Sequence, residues 1–417
     1  MLNLFKYTFG ATGWLKSWSI WVMSFPFYFF PAGSIQPSDM FVTAFFAMFI
    51  LVEGYKFFND NGLVFRRFLT FCIYLTLVNL SVKIINLDVY LSGLPWYIMS
   101  AFYYFNLFVM GFALALYKKY GSAFLYTTVY SLIFSGILQI VLSNLISGNA
   151  EGIRGAMFFT NPNQLGYYSL CALTIVLVLE TRIRIPKIFV FASFFLFSYM
   201  ALLSVSKAAL GSMLILFFTY LLANKIFSVR NLLAIIIVGG LGFIGVTQSE
   251  FGQRFLQNYE LRQQNEESRP DEITEWQYRG YDRISNHPSY LILGAGEGGY
   301  NRFDTFISNH EIHSSIGTII FCYGIPGSIL FALFVFSALK KLPWNYLLYS
   351  IPIFAYGATH MGLRFTIFWV AIMMFPIIRV EIAKGKYLKK KKRFEAPKNN
   401  YNSNVPQIFV AGANEIS

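Results

Sequence analysis

Long apolar runs, separated by short polar breaks, occupy nearly the whole chain. A helix needs about 20 apolar residues to cross the hydrocarbon core of a bilayer. Runs of that kind fall near 15–33, 38–55, 67–86, 95–117, 121–146, 162–180, 186–204, 207–224, 231–248, 313–339, 344–360 and 363–382. Within lipid every backbone N–H and C=O needs an internal partner, and runs of this length meet that demand only as helices. The pattern therefore predicts an all-α polytopic membrane protein with about 12 transmembrane helices. Composition agrees, because charged residues make up only 13% of the chain, where a soluble domain carries about 25%. The 46 Phe and 27 Tyr exceed what a water-soluble core of this length would bury.

Charge sets the expected orientation. With the N-terminus inside, most of the 33 Lys and Arg fall in inner loops and in the tail after Arg379. The positive-inside rule then puts both termini in the cytoplasm. The exceptions, which include Arg154, Arg279, Arg283, Arg302 and Arg364, are mostly Arg. A guanidinium donates two parallel hydrogen bonds to a phosphate, which a lysine cannot do. The net charge of +13 thus has two sources. The Lys389–Arg393 cluster suits anionic lipid headgroups on the inner surface, and the outer arginines suit an anionic substrate. Neither source implies nucleic acid.

Four regions are expected. Residues 1–248 hold helices one to nine, 249–312 form a large outer loop, 313–383 hold helices ten to twelve, and 384–417 form a basic, disordered tail. Cys72, Cys171 and Cys322 fall within helices and read as buried apolar fillers rather than disulfide partners.

Five outer segments carry the chemistry. In the first, Arg154-Gly155 precedes Asn161-Pro162-Asn163, where Pro suits the first turn of a helix and Asn its cap. That helix points its positive end outward, toward solvent or toward a bound anion. In the second, Lys207 follows Ser204-Val205-Ser206 and either snorkels to the interface or lines a polar cavity. In the third, Arg279 and Arg283 lie four residues apart, ahead of His287-Pro288 and a glycine-rich stretch, Gly294–Gly299. That stretch spells GxGxxG, but it lacks the βαβ context of a dinucleotide site. The glycines read instead as tight turns that let backbone approach a ligand or a helix end. The fourth segment, Glu311-Ile312-His313-Ser314-Ser315, opens helix ten, and Tyr323-Gly324-Ile325-Pro326-Gly327 follows within it. His is the usual general base near neutral pH. Arg364 stands in the last outer turn, either as a lone exception to the topology rule or as part of a cationic ring.

The order of these motifs resembles the O-antigen polymerase/ligase superfamily, over residues 150–330. The resemblance rests on Arg-Gly-x5-Asn-Pro-Asn-x-Leu-Gly, His-Pro-x4-Leu-Gly-x-Gly, His-Ser-Ser-x-Gly and Tyr-Gly-x-Pro-Gly. It implies a GT-C-type glycosyltransferase of the bacterial inner membrane, with its site on the periplasmic side and with no metal or other cofactor. The superfamily includes Wzy-type polymerases and WaaL-type ligases, both acting on undecaprenyl-pyrophosphate-linked oligosaccharide. Arg283 and Gly294 match the Arg-x10-Gly pattern described for polymerases, and Ser314 stands where ligases commonly carry Asn. Both features lean toward a polymerase.

The reaction so implied has a sugar hydroxyl attacking the anomeric carbon while pyrophosphate leaves, inverting that centre. His313 is expected to be the base, with Glu311 as alternative base or orienting partner. Arg154, Arg279 and Arg283 are expected to bind the pyrophosphate, with Lys207 and Arg364 as further members. Membrane lipids and a chain-length regulator are the candidate partners. A ligase with lipid A-core as acceptor is the alternative function. A lipid-linked oligosaccharide flippase is more distant, because the chain shows neither internal repeats nor charges deep in its helices.

Overall fold

The structure, a computed structural model, describes residues 12–31, 34–53, 62–86, 96–147, 155–226, 248–267, 273–303, 305 and 311–395. All regular elements among the described residues are helical. Six helices are long and apolar enough to cross a membrane: Leu63–Ile85, Met99–Tyr120, Ser122–Ile146, Pro162–Glu180, Ser315–Leu339 and Thr366–Gly385. Two shorter apolar helices, Lys187–Leu203 and Lys207–Ala223, form a hairpin.

In chain order, α1 is Gly13–Ser24, α2 Pro37–Glu53, α3 Leu63–Ile85, α4 Trp96–Tyr120, α5 Ser122–Ser147, α6 Pro162–Glu180, α7 Lys187–Leu203 and α8 Lys207–Ala223. The polar region contributes α9 (Glu250–Glu267) and three short helices, α10 (Glu275–Tyr278), α11 (Asp282–Asn286) and α12 (Tyr290–Leu293). α13 (Ser315–Leu339), α14 (Trp344–Leu347), α15 (Ile351–Thr359) and α16 (Thr366–Glu395) complete the series.

Three expectations need correction. The run at 15–33 stops being helical at Ser24, because Pro26 has no N–H with which to continue the ladder to Val22 O. The run at 344–360 is built of α14, a 3-10 turn at Leu348–Ser350 and α15, with Pro352 in the first turn of α15. The tail expected to be disordered from 384 stays helical to Glu395. The run at 231–248, Gln248 apart, lies outside the described residues, as do 396–417.

Residues up to Ile378 form one compact unit. α6 lies at its centre, with every residue from Leu165 to Leu179 buried. A helix that is apolar on all sides is one surrounded by others. An aromatic cluster joins α3, α13 and α16: the Phe68 ring lies 4.4 Å from Trp369 and 4.8 Å from Phe334. Residues from Arg379 onward form a second unit, in which Lys384 pairs with Glu381 at 3.2 Å.

α13 is broken at Gly324, whose φ of 62° and ψ of −166° are not helical. Pro326 has no N–H to offer the Cys322 carbonyl one turn back. The glycine-rich stretch supplies what the helix lacks, for Ala295 N–H donates to Phe321 O at 2.9 Å and Gly296 N–H to Cys322 O at 2.8 Å. The approach is close enough that a Cβ on Gly294 would lie 2.4 Å from Cys322 O, and one on Gly324 2.8 Å from Gly294 N. Part of the region expected to form the outer loop therefore packs against candidate spanning helices. The Tyr74 hydroxyl of α3 donates to Leu293 O at 2.7 Å, while Ile292 and Leu293 are exposed.

Candidate functional site

Two helix starts meet at one cavity. At the start of α6, Asn161 Oδ1 accepts from Asn163 N–H at 2.7 Å, with Pro162 in the first turn. At the start of α13, Ser314 Oγ accepts from Gly317 N–H at 3.1 Å. Both caps follow from local sequence, since a short polar side chain replaces the missing acceptor of the first turn.

Ser315 then ties α13 to the last turn of the unit. Its hydroxyl donates to His360 O at 3.1 Å and accepts from Gly362 N–H at 2.8 Å. Tyr356 of α15 donates to Asn163 O at 2.9 Å and stacks on Tyr167 with ring centroids 4.2 Å apart. Segments 161–167, 311–315 and 356–366 are thereby locked together. The cavity among them measures about 360 Å³, in the range of small-molecule sites. Asn161, Asn163, Glu311, His313, His360 and Arg364 line it, together with Tyr28 from the segment after α1, Asp39 from α2, and Phe102 and Phe105 from α4.

Arg364 is the centre of an ion triad. One terminal nitrogen meets Glu297 at 2.5 Å and the other meets Glu311 at 2.6 Å. Glu297 is wholly buried, and its second oxygen accepts from the hydroxyls of Tyr103, at 2.8 Å, and Tyr323. Its backbone N–H donates to Asn79 Oδ1 at 2.8 Å. Burial opposes the Arg364 charge, but Glu311 and Glu297 outweigh it and carry the guanidinium well above its usual range. Arg364 Nε is buried and has no hydrogen-bond partner among the described residues.

His313 is exposed, and its Nδ1 lies 3.0 Å from the Glu311 carbonyl oxygen. A carbonyl only accepts, so Nδ1 carries the proton and Nε2 of the neutral ring keeps its lone pair. The His313 backbone N–H donates to Arg279 O at 3.0 Å.

Of the remaining cations expected at the site, Arg279, Arg283 and Lys207 do not line this cavity. Arg279 donates to Thr359 O at 2.6 Å and pairs with Glu275 at 3.1 Å, closing the C-terminal end of α15. Arg283 is fully buried, with its guanidinium 5.2 Å from the Tyr300 ring and 5.7 Å from Phe303, and its Nε donates to Thr305 Oγ1 at 3.2 Å. Burial pulls the Arg283 guanidinium below its usual range. Lys207 opens α8, exposed, with Nζ 5.7 Å from the Tyr259 ring. Arg154 lies outside the described residues. Among the described residues, no group of three or more His, Cys, Asp or Glu comes together as a metal site requires.

Sequence reasoning missed Glu297, which sits inside the glycine-rich stretch, and also Asp39 and His360. His360 had a signal, because it immediately precedes the segment that carries Arg364. Asp39 had one too, as an acid in the first turn of an apolar helix. No protein-family model matches the chain, and no curated protein matches it.

Proposed function

We propose that the chain is a membrane glycosyltransferase. It transfers a glycan from undecaprenyl pyrophosphate to a sugar hydroxyl of another lipid-linked repeat unit, as an O-antigen-type polymerase does. The observation that carries this reading is the meeting of His313, Glu311 and Arg364 with two helix starts at a single cavity. A base with a free ring nitrogen thus shares a space with elements that favour an anion.

In this reading the acceptor hydroxyl gives its proton to His313 Nε2 as its oxygen bonds to the anomeric carbon. The bond from that carbon to the pyrophosphate oxygen breaks on the opposite face, and the configuration inverts. Negative charge grows on the leaving pyrophosphate, and stabilising it is the main electrostatic task. Of the assigned cations within the described residues, Arg364 alone lines the cavity, and it takes that role with the ends of α6 and α13. Arg154 keeps its assignment as a pyrophosphate ligand. Arg279 acts on the site by holding the backbone that carries His313, whereas Arg283 packs on Tyr300 and Phe303.

Twelve spans, cytoplasmic termini and a periplasmic site belong to the same proposal. The alternation of apolar runs supports it, because the cavity-lining segments near 28–39, 161–167, 311–313 and 360–364 all fall on one side of the expected bilayer. A ligase would differ only in its acceptor.

The deciding experiment supplies purified protein in lipid nanodiscs with lipid-linked repeat units extracted from a strain lacking it. Longer lipid-linked chains made by the wild type and not by His313→Ala support the reading. Chains of equal length from both, at equal protein, overturn the assignment of the base.

A further inference from the structure

The cavity has a second wall that the leaving pyrophosphate does not explain. Asp39 stands in the first turn of α2 and lines the same cavity as Glu311 and Arg364. One carboxylate oxygen, Oδ2, accepts from Gln36 N–H at 2.9 Å. Among the described residues no basic side chain pairs with Asp39, so its charge is not cancelled as that of Glu311 is.

The approach to Asp39 is fixed by Gln36. That side chain is buried and accepts from both Phe29 N–H and Phe30 N–H at 3.0 Å, while its amide donates to Phe30 O at 3.0 Å and Ser34 O at 3.2 Å. The turn between α1 and α2 is thereby held on a side chain one position ahead of the helix. Beside Asp39 the wall is aromatic, with Tyr28, Phe102 and Phe105.

Carboxylate and aromatic faces together suit a neutral ring that carries hydroxyl groups. Hydroxyls donate to a carboxylate in strong, charge-assisted bonds, and the apolar face of a sugar packs against an aromatic surface. The same carboxylate repels a pyrophosphate, which is drawn instead to Arg364 and the starts of α6 and α13. The lining of the cavity therefore offers two chemistries, one that suits an anion and one that suits a polyol.

We propose that the Asp39 wall is the acceptor subsite, which binds the terminal sugar of the acceptor glycan through its hydroxyls. This inference rests on the glycosyl-transfer reading above. Asp39 also serves its own helix, because Oδ2 accepts the Gln36 N–H. Asp39→Asn keeps an oxygen for that bond and removes only the charge, so it separates folding from recognition.

The test measures two affinities on purified protein in nanodiscs. One probe is the free oligosaccharide released by mild acid from lipid-linked repeat units, and the other is the intact lipid-linked unit. We expect Asp39→Asn and Phe105→Ala each to weaken the free oligosaccharide by about tenfold, with unchanged thermal melting and with lipid-linked binding within about twofold of wild type. Free-oligosaccharide affinity within twofold of wild type in both variants overturns the subsite and leaves the proposed function standing. Failure of the wild type to bind either probe overturns both.

Discussion

Glu297 and Arg364 meet at 2.5 Å although 67 residues separate them, and the carboxylate is wholly buried while the guanidinium reaches the cavity. Taking two charges out of water is costly, and the cost is recovered only where the remaining lone pairs and protons find partners. Here Tyr103 and Tyr323 supply them on the Glu297 side, while Asn79 holds the Glu297 backbone N–H, and Glu311 supplies them on the Arg364 side. The pair joins the glycine-rich stretch beside α13 to the last turn before α16, so the broken helix and the cavity share one electrostatic anchor.

Removing one partner from a buried pair leaves the other uncompensated, at about 3–5 kcal/mol. Glu297→Ala should therefore lower the thermal melting of the detergent-solubilised protein far more than Glu311→Ala. Glu311 is only half-buried, and its loss leaves Arg364 still paired. Equal melting of the two variants would show that the anchor does not lie at Glu297.

Arg364 engages two carboxylates with two separate nitrogens. Lysine keeps the charge and loses the fork. Arg364→Lys should stay folded yet lose about 10²–10³ in transfer rate, close to the loss in Arg364→Ala. A lysine variant with near-normal rate would mean that charge alone suffices.

The contact between the glycine-rich stretch and α13 admits no side chain. Gly294 has a φ of 110°, and its Cβ would strike Cys322 O, while the Cβ of Gly324 would strike Gly294 N. Gly294→Ala and Gly324→Ala should both fall to a small fraction of wild-type membrane level on quantitative blots. Gly211→Ala is the matched control within α8, since nothing lies within 4 Å of its Cβ. Alanine there should hold or gain stability by about 0.5–1 kcal/mol.

Arg279 and Arg283 are four residues apart and should fail differently. Arg283 is sunk among Tyr300 and Phe303, so Arg283→Ala removes packing as well as charge and should cost on the order of 2 kcal/mol or more. Arg279 is half-buried at the end of α15, and Arg279→Ala should cost about 1 kcal/mol. Melting curves on both variants check this. An Arg283→Ala protein with normal melting and no activity would instead place that guanidinium on the substrate.

Legibility in sequence followed distance along the chain. The cap at Asn161 could be read directly, because it bonds within its own first turn; Ser314 caps α13 in the same local way. The six helices long and apolar enough to cross a membrane could be read from apolar runs for the same reason. The break at Gly324 was half legible. Pro326 announces a missing donor, but nothing local names Ala295 and Gly296 as its replacements. The ion triad was not legible, because Glu297, Glu311 and Arg364 are distant in sequence and Glu297 lies within a stretch that reads as turns. Outer arginines stood out as exceptions to the topology rule, yet the rule cannot tell a guanidinium that meets a substrate from one that closes a helix, as Arg279 does, or fills an aromatic cage, as Arg283 does.

The break in α13 has a consequence for how the protein is made. Its Phe321 and Cys322 carbonyls are completed by residues 295 and 296, which leave the ribosome earlier. Synthesis thus delivers the patch before the gap it covers. Until the patch docks, α13 enters the bilayer with bare carbonyls, and each exposed group in hydrocarbon costs several kcal/mol. Docking of the glycine-rich stretch is therefore a step of membrane insertion itself, and a defect in it should be met by quality-control proteolysis during biogenesis rather than by slow turnover of finished protein.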